Sequence, residues 1–276
     1  MMRAWAAHDA EAFRAFVAAA STLTGRTISD LRVLDLGCGP NAPMTVLLAG
    51  AGCRVTGIDA RLGVRWGLGF DLSRYSQYWK SVGLLRTLRK TAGELAYDRI
   101  YFRDLSRLTG LALEDRGLDL REMDVQDPQL PANEFDVIHS NATWEHIAEV
   151  PAANRTVARA LRPGGIAYIE IHLFPSLSGG HDLPWIVPGR TSLGDVQPWQ
   201  HLRDPAWKPP VFLNRLRERD YRRYFEQTAG LDIVEWRVEF TEGKEYLTDE
   251  VLKQLHDYTI DELTRRSIIV ILRKTG

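Results

Sequence analysis

The stretch Val33-Leu34-Asp35-Leu36-Gly37-Cys38-Gly39-Pro40-Asn41-Ala42 leaves the chain few folds to choose from. A short apolar run that breaks into Gly-x-Gly and then enters a helical stretch, Met44 to Ala49, reads as a buried strand passing into a helix through a glycine turn. Backbone N–H groups in such a turn approach a ligand closely. A second apolar run, Cys53 to Asp59, follows, so strand, turn, helix and strand fall within about 30 residues, the size of a βαβ unit. Two acids mark the carboxyl ends of its strands, Asp35 and Asp59. In doubly wound sheets that is the edge where ligands bind.

The glycine spacing, with Ala42 in the third small-residue slot and Asp59 about twenty residues on, resembles a dinucleotide fingerprint. Asp35 argues against a dinucleotide. A carboxylate two residues before the first glycine repels a pyrophosphate laid on the same turn, and suits a cofactor carrying a cationic amine. S-adenosylmethionine is such a cofactor. Asp59 at its strand end would accept hydrogen bonds from a ribose diol; the competing role is a helix N-cap.

Composition narrows the partners. The 35 basic and 36 acidic residues almost cancel, so no global field draws in a nucleic acid. Two cysteines, Cys38 and Cys53, suit a reducing compartment and build neither a disulfide framework nor a thiolate metal cage. The amino-terminal apolar stretch is broken by His8, Asp9, Glu11 and Arg14, unlike a signal peptide, and no run reaches the roughly 18–20 apolar residues of a membrane span. A cytoplasmic protein is the expectation.

Residues 4–24 have helical character and end at Gly25. From Arg61 to Gly117 the chain is longer than a crossover needs, which predicts a helical insertion. Tyr75, Tyr78, Trp79, Val82, Leu85 and Leu88 recur at helical spacing, then Tyr97, Tyr101, Leu105 and Leu108. Arg74, Lys80, Arg86, Arg89 and Lys90 make the first of these basic, either a cap for an anionic acceptor or a solvated face. Residues 118–124 alternate as a strand ending in Asp124-Val125, where Asp124 either accepts from an adenine amine, with Val125 against the ring, or opens the turn before Pro128. Phe135 to His139 is a fourth strand, a helix runs from Val150 to the stop at Pro163-Gly164-Gly165, and Ile166 to Ile171 is a buried fifth strand. Farther on, Tyr221–Gly230 and Thr248–Arg265 read as helical and Leu231–Phe240 and Ser267–Arg273 as strands.

Val33-Leu-Asp-Leu-Gly-Cys-Gly, the Asp59 strand end, Asp124-Val125, Phe135-Asp-Val-Ile followed by Glu145-His146-Ile147, and Leu161-Arg-Pro-Gly-Gly occur in the order and approximate spacing of the class I S-adenosylmethionine-dependent methyltransferases. The resemblance spans residues 31–171. It implies an α/β fold with a doubly wound, mostly parallel seven-stranded sheet whose last strand is antiparallel. One methyltransferase domain would then cover 1–276: a helix in 1–30, the cofactor core in 31–171 with the insertion at 61–117, an acceptor-side lid in 172–222, and closing strands and helix in 223–276. The implied cofactor set is Asp35, Gly37, Cys38, Gly39, Asp59, Ala60, Asp124, Val125, Ser140 and Asn141.

Acceptor chemistry falls to the segments least like the family. Residues 172–214 are rich in Pro, Gly, Trp and His, loosely similar to the corresponding part of methyltransferases acting on sugars or polysaccharide precursors. Trp185, Trp199 and Trp207 either stack on a sugar face or close a lid. Methylating a hydroxyl requires removing its proton, a task suited to a neutral histidine. His139, His146, His172 and His181 lie in the bordering segments. His146, at the position some sugar-methylating relatives give a catalytic histidine, is the first choice of base, with Glu145 beside it and His181 as the substitute; Glu145-His146 as a mere helix cap is the alternative. Glu145-His146 also resembles part of a divalent-metal site in some family members. Their further glutamate is Ala142 here, leaving His172 or His181 to complete a set. A small-molecule N-methyltransferase and a non-catalytic binder of the cofactor are the rival functions. Base-amine methylation of nucleic acid would require an Asn/Asp-Pro-Pro-Tyr/Phe motif after the fourth strand, and none is present. Residues 201–223, with seven basic and three acidic positions, keep a phosphorylated sugar open as acceptor.

Overall fold

The computed structural model describes residues 2–62, 99–114, 117–126, 129–186 and 196–276. The chain divides into two compact units, Met1–Met123 and Asp124–Gly276. Most of the anticipated helical insertion, including its basic stretch, lies outside the described residues.

In the first unit, α1 (Met2–Thr24) buries Ala6, Ala10, Phe13, Phe16 and Ala20, a stripe at the three- and four-residue steps of one helix face. Gly25, at φ +67°, ends it by donating its N–H to Ser21. Strands β1 (Arg32–Leu36), β2 (Arg54–Asp59) and β3 (Asp119–Glu122) pair in parallel in the order β3-β2-β1. β1 is buried from Val33 to Leu36, Asp35 included, because a parallel strand is covered on both faces. Between β1 and β2 lies α2 (Pro43–Gly50), with Pro43 in its first turn, where a missing N–H costs nothing. Backbone over 99–109 is helical and buries Tyr101 and Leu105, two members of the anticipated stripe; Leu108 is exposed instead.

The second unit orders its strands β4-β5-β7-β6: β4 (Phe135–Asn141), β5 (Leu161–His172), β6 (Leu231–Thr241) and β7 (Arg265–Lys274). β4 and β5 are parallel, and β7 runs antiparallel to both of its neighbours. The seven described strands thus make a mostly parallel α/β fold with an antiparallel last strand, as anticipated. α3 (Val150–Ala160) buries Val150, Ala153, Val157 and Ala160, and α4 (Glu218–Glu226) buries Tyr221 and Phe225.

Several boundaries shift by a few residues, among them the helix expected over Tyr221–Gly230, which spans Glu218–Glu226, and two elements depart further from the sequence expectation. Strand β5 begins at Leu161 rather than after Gly165, because Pro163-Gly164-Gly165 is taken up as a register shift between Phe135 and Val137. At Gly165 a Cβ would lie 2.9 Å from the Asp136 and Arg162 carbonyl oxygens, so only glycine passes. The stretch expected as one helix over 248–265 is two, α5 (Asp249–Gln254) and α6 (Ile260–Thr264). Thr259 starts the second with a capping box: its hydroxyl accepts the Glu262 N–H while the Glu262 carboxylate accepts the Thr259 N–H.

A satellite core of Leu177, Trp199, Val251, Leu255 and Leu263 removes one of the two roles open to Trp199. Trp199 has no exposed surface and donates its indole N–H to the Leu263 carbonyl, so it is no sugar platform. A large ring is worth more to a small core than to solvent. Trp185 packs against the same cluster, edge-on to Tyr246.

Candidate functional site

The first unit carries the glycine turn. Gly37 and Gly39 sit at φ +71° and +72°, the left-handed region that a side chain disfavours. Both Gly37 and Cys38 donate N–H to the Ile58 carbonyl at 2.8 and 3.0 Å, which fixes the turn against the end of β2. Gly39 donates its N–H to Asp59 Oδ2 at 2.9 Å, while Asp59 Oδ1 accepts the Arg61 N–H at 2.8 Å. Asp59 therefore ties the turn and the residues after β2 to one carboxylate. Each of its oxygens retains a lone pair for a hydroxyl. A Cβ placed on Gly39 would meet nothing within 4 Å, so the face of the turn is open to a ligand. This geometry fits a ribose-bearing cofactor. Ala60 follows Asp59 on an exposed bend.

Asp35 works from beneath. It is 2% exposed, and its Oδ2 accepts the Thr45 hydroxyl at 2.6 Å inside α2. Gly57 makes room for this: a Cβ there would lie 2.6 Å from Thr45 Oγ1 and 2.5 Å from Leu120 Cδ2.

In the second unit Asp124 opens a turn. Its Oδ1 accepts the Gln126 backbone N–H at 2.8 Å, and the Gln126 amide reaches both of its oxygens at 3.1 Å. Val125 is buried and its carbonyl accepts the Thr156 hydroxyl. Ser140 is fully buried within β4, and Asn141 ends the strand with its carbonyl accepting from Thr143.

Beyond β4 the chain turns through Ala142, at φ +47°, into a short 3-10 helix, Trp144–His146. Trp144 anchors it, fully buried with its indole N–H on Asn154 Oδ1. Asn214 clamps it from the other side. Its side-chain amide donates to the Trp144 and Ile147 carbonyls at 2.7 and 2.9 Å, its N–H donates to the Glu145 carbonyl, and Tyr221 donates to its Oδ1. These contacts fix where Glu145 and His146 point. They rest on a polar residue some seventy positions away, for which the sequence carries no periodic signal.

His146 Nδ1 lies 2.8 Å from the Phe212 carbonyl. A carbonyl only accepts, so Nδ1 carries the proton of the neutral ring and Nε2 carries the lone pair. Glu145 points inward. Both of its carboxylate oxygens are buried without a hydrogen-bond partner, and burial lifts its pKa to about 8, with the charge of Glu170 adding to the rise. Backbone N–H groups of Glu145 and His172 pull it down in part without completing a hydrogen bond to either oxygen.

Three of the four singled-out histidines gather here. His181 meets His146 edge-on and stacks on His172, each at 4.9 Å between ring centroids. Burial and the neighbouring positive groups push His181 down to about 4 and hold His172 well below its ordinary range, so both rings are neutral at pH 7. His139 is the exception. It lies in β4, buried, with its ring stacked on that of Tyr168, its register partner in β5 on the same face of the sheet.

His172 is set by a relay. Glu242 Oε1 accepts both the Ser178 N–H at 2.8 Å and the Ser178 hydroxyl at 2.6 Å. With that hydroxyl proton committed, Ser178 Oγ accepts from His172 Nε2 at 2.9 Å, and Nδ1 keeps the lone pair. Ser178 and Glu242 are absent from the sequence reading, since 64 residues separate them and only the tertiary fold unites them. Ligand atoms of Glu145, His172 and His181 all lie within 4.8 Å of one another, a set fit for a metal ion. His146 is not among them, so the metal pair read from the Glu145-His146 motif is not the arrangement found.

The loop carrying Ser178 and His181 depends on Gly179, where a Cβ would collide with the Phe174 and Leu173 carbonyl oxygens. Backbone cannot yield as a flexible side chain does. Gly179→Ala should therefore destabilise the protein by about 3 kcal/mol, seen as a lowered urea midpoint with an unchanged slope. A loss under about 0.5 kcal/mol would show that the loop tolerates the methyl group.

Nearby, Trp207 donates its indole N–H to Asp182 and lies beside Phe174 and His201, with the Arg215 guanidinium 5.9 Å from the Trp207 and Phe174 rings. Val211 and Phe212 are exposed, 47% and 57%, next to the carbonyl that orients His146. Among the described residues no helix is long and apolar enough to cross a membrane.

Comparison with known proteins gives consistent matches. A family model described as a methyltransferase domain matches residues 4–236. An uncharacterized methyltransferase of Mycobacterium tuberculosis (strain ATCC 25618 / H37Rv) is 30% identical over 96 residues, 34% of this chain and 48% of the relative; one of Mycobacterium bovis matches to the same extent. The chain thus spans about half the length of the curated relatives it matches. Among solved structures, an S-adenosylmethionine-dependent methyltransferase from Mesorhizobium loti is similar at 17% identity and TM-score 0.48, covering 88% of this chain and 91% of that one. A second, from Methanosarcina mazei, is similar at 16% identity and TM-score 0.46, covering 89% and 92%.

Proposed function

Since the chain belongs to the methyltransferase-domain family, we propose that it is an S-adenosylmethionine-dependent methyltransferase acting on a hydroxyl of a carbohydrate or another small hydroxylated metabolite, with His146 as general base. When bound, the cofactor supplies a methyl group on a sulfonium centre, open to in-line displacement. The glycine turn and Asp59 are the residues that fit it: Gly39 offers an open backbone face, Asp59 lone pairs for a ribose diol, and Asp35 a negative charge beneath the turn.

One observation carries the choice of a hydroxyl acceptor: His146 Nδ1 is engaged by the Phe212 carbonyl, which leaves Nε2 with a lone pair. An amine with its own lone pair needs no such group, whereas an alcohol must lose a proton as it attacks. The Asn214 clamp keeps the imidazole in place, and neutral His181 beside it adds no positive charge at pH 7 to oppose the proton's arrival. For the acceptor, exposed Phe212 and half-buried Trp207 offer aromatic faces that match the apolar side of a sugar ring, with Arg215 near enough to attract an anionic substituent. Both cysteines are buried thiols, and we place the protein in the cytoplasm on that chemistry.

The test is release of demethylated cofactor across a panel of sugars, sugar phosphates, small alcohols and amines, with products identified by mass spectrometry. His146→Ala should lower kcat on the hydroxyl acceptor by about 100-fold or more and leave the Kd for S-adenosylmethionine unchanged. Full activity in that variant would remove His146 as base. Turnover of amines alone would favour N-methylation, and cofactor binding with no turnover on any acceptor would favour a non-catalytic binder.

A further inference from the structure

Glu145 poses a problem that methyl transfer by His146 does not answer. An acid whose two oxygens are both sealed from water without a hydrogen-bond partner is a costly feature, and a fold keeps such a group when something else completes it. A second polar atom beside it shares the condition: His181 Nε2 is buried with no partner. The third neighbour, His172, has its proton fixed on Nε2 by the Ser178–Glu242 relay, so its other nitrogen bears a lone pair. That is the outer-sphere pattern by which a carboxylate orients a metal-ligating imidazole, here passed through a serine hydroxyl.

We propose that Glu145, His172 and His181 form a binding site for a borderline divalent cation of the zinc type. One carboxylate and two neutral imidazoles, with ligand atoms mutually within 4.8 Å, are the donor set such ions prefer over the all-oxygen shells of magnesium or calcium. The charges around the set favour a cation. Glu170, held by the Ser267 hydroxyl, acts on Glu145, and Glu242 lies behind Ser178, whereas the groups of opposite sign acting on the two rings are the neighbouring histidines and Arg266, itself 4.0 Å from Glu242. Three protein ligands leave coordination open, the mark of a working site rather than a structural one. The use of that opening, to seat the acceptor oxygen next to His146, rests on the function proposed above. The site itself does not.

The experiment is calorimetric titration of Zn²⁺ into the full chain after chelator treatment, with the histidine environment of the loaded protein read by X-ray absorption. Wild type should bind one equivalent saturably, with two imidazoles in the first coordination sphere. Glu145→Gln, close to isosteric, and His181→Ala should each weaken binding at least 30-fold. His256→Ala, an exposed histidine far along the chain in sequence, should leave it unchanged and so account for adventitious surface binding. Circular dichroism confirms that each variant is folded; should His181→Ala fail to fold, Glu145→Gln decides alone. Absence of a saturable site in wild type, or equal affinity in Glu145→Gln, would overturn the proposal. Neither outcome touches the methyltransferase reading, which is measured separately by S-adenosylmethionine binding and turnover.

Discussion

Glu145→Gln should make the metal-free protein more stable at pH 9 by about 4 kcal/mol while changing it little at pH 5. The carboxyl group of Glu145 ionises near 4.5 in the unfolded chain and at about 8 when buried in the native one. A native state that holds the proton more tightly is favoured wherever the proton is present. Its contribution is therefore complete below pH 4.5 and is lost as pH rises through 8. At pH 9 the wild type carries a buried, uncompensated negative charge; glutamine occupies nearly the same volume and cannot ionise. Burial holds His172, His181 and His201 below their ordinary range, so near pH 7 and above these rings are neutral in both proteins and the difference between the two stability curves there isolates Glu145. Urea unfolding from pH 5 to 9 in the presence of a chelator measures it. Parallel curves would show that the carboxyl is solvated or already paired, and the account of it as an orphaned buried acid would fail.

Asp59→Ala is expected to raise the Kd for S-adenosylmethionine and its demethylated product by about 100-fold, or about 2.7 kcal/mol. Two losses add. The carboxylate that would receive a ribose diol disappears, and the Gly39 and Arg61 N–H groups lose the acceptor that holds the turn in shape. Asp59→Asn retains one carbonyl oxygen and should fall between the two. Calorimetric titration reads both, and a Kd within threefold of wild type for Asp59→Ala would rule out the turn as the cofactor's seat.

The parts of this protein that sequence reveals are those where one local rule suffices. Alternating or continuous apolar runs mark β1, β4 and β5, and the glycine turn declares itself because φ near +70° at Gly37 and Gly39 tolerates few other residues. The helix starting at Val150 is announced by Pro151. By contrast, the split of residues 249–264 into two helices hangs on one capping box, and helical periodicity alone reads straight through it. Trp199 is equally instructive: a tryptophan in a Pro- and Gly-rich segment suggests a surface platform, yet burial depends on what packs over it, and here Leu263 and Val251 do.

By itself, then, the sequence determined the sheet's composition, the nucleotide-type turn with Asp35 and Asp59, and the nomination of Glu145, His146 and His181. Only the tertiary structure decided which of these act together. It set His139 into the sheet against Tyr168, gave His146 its proton position through Phe212, and united Glu145 with His172 and His181 over a relay from Ser178 and Glu242. The physical reason is one of range. Backbone conformation and capping are governed by residues within a turn or two, whereas protonation, tautomer and ligand sets depend on burial and on partners brought from distant strands, which no spacing along the chain encodes.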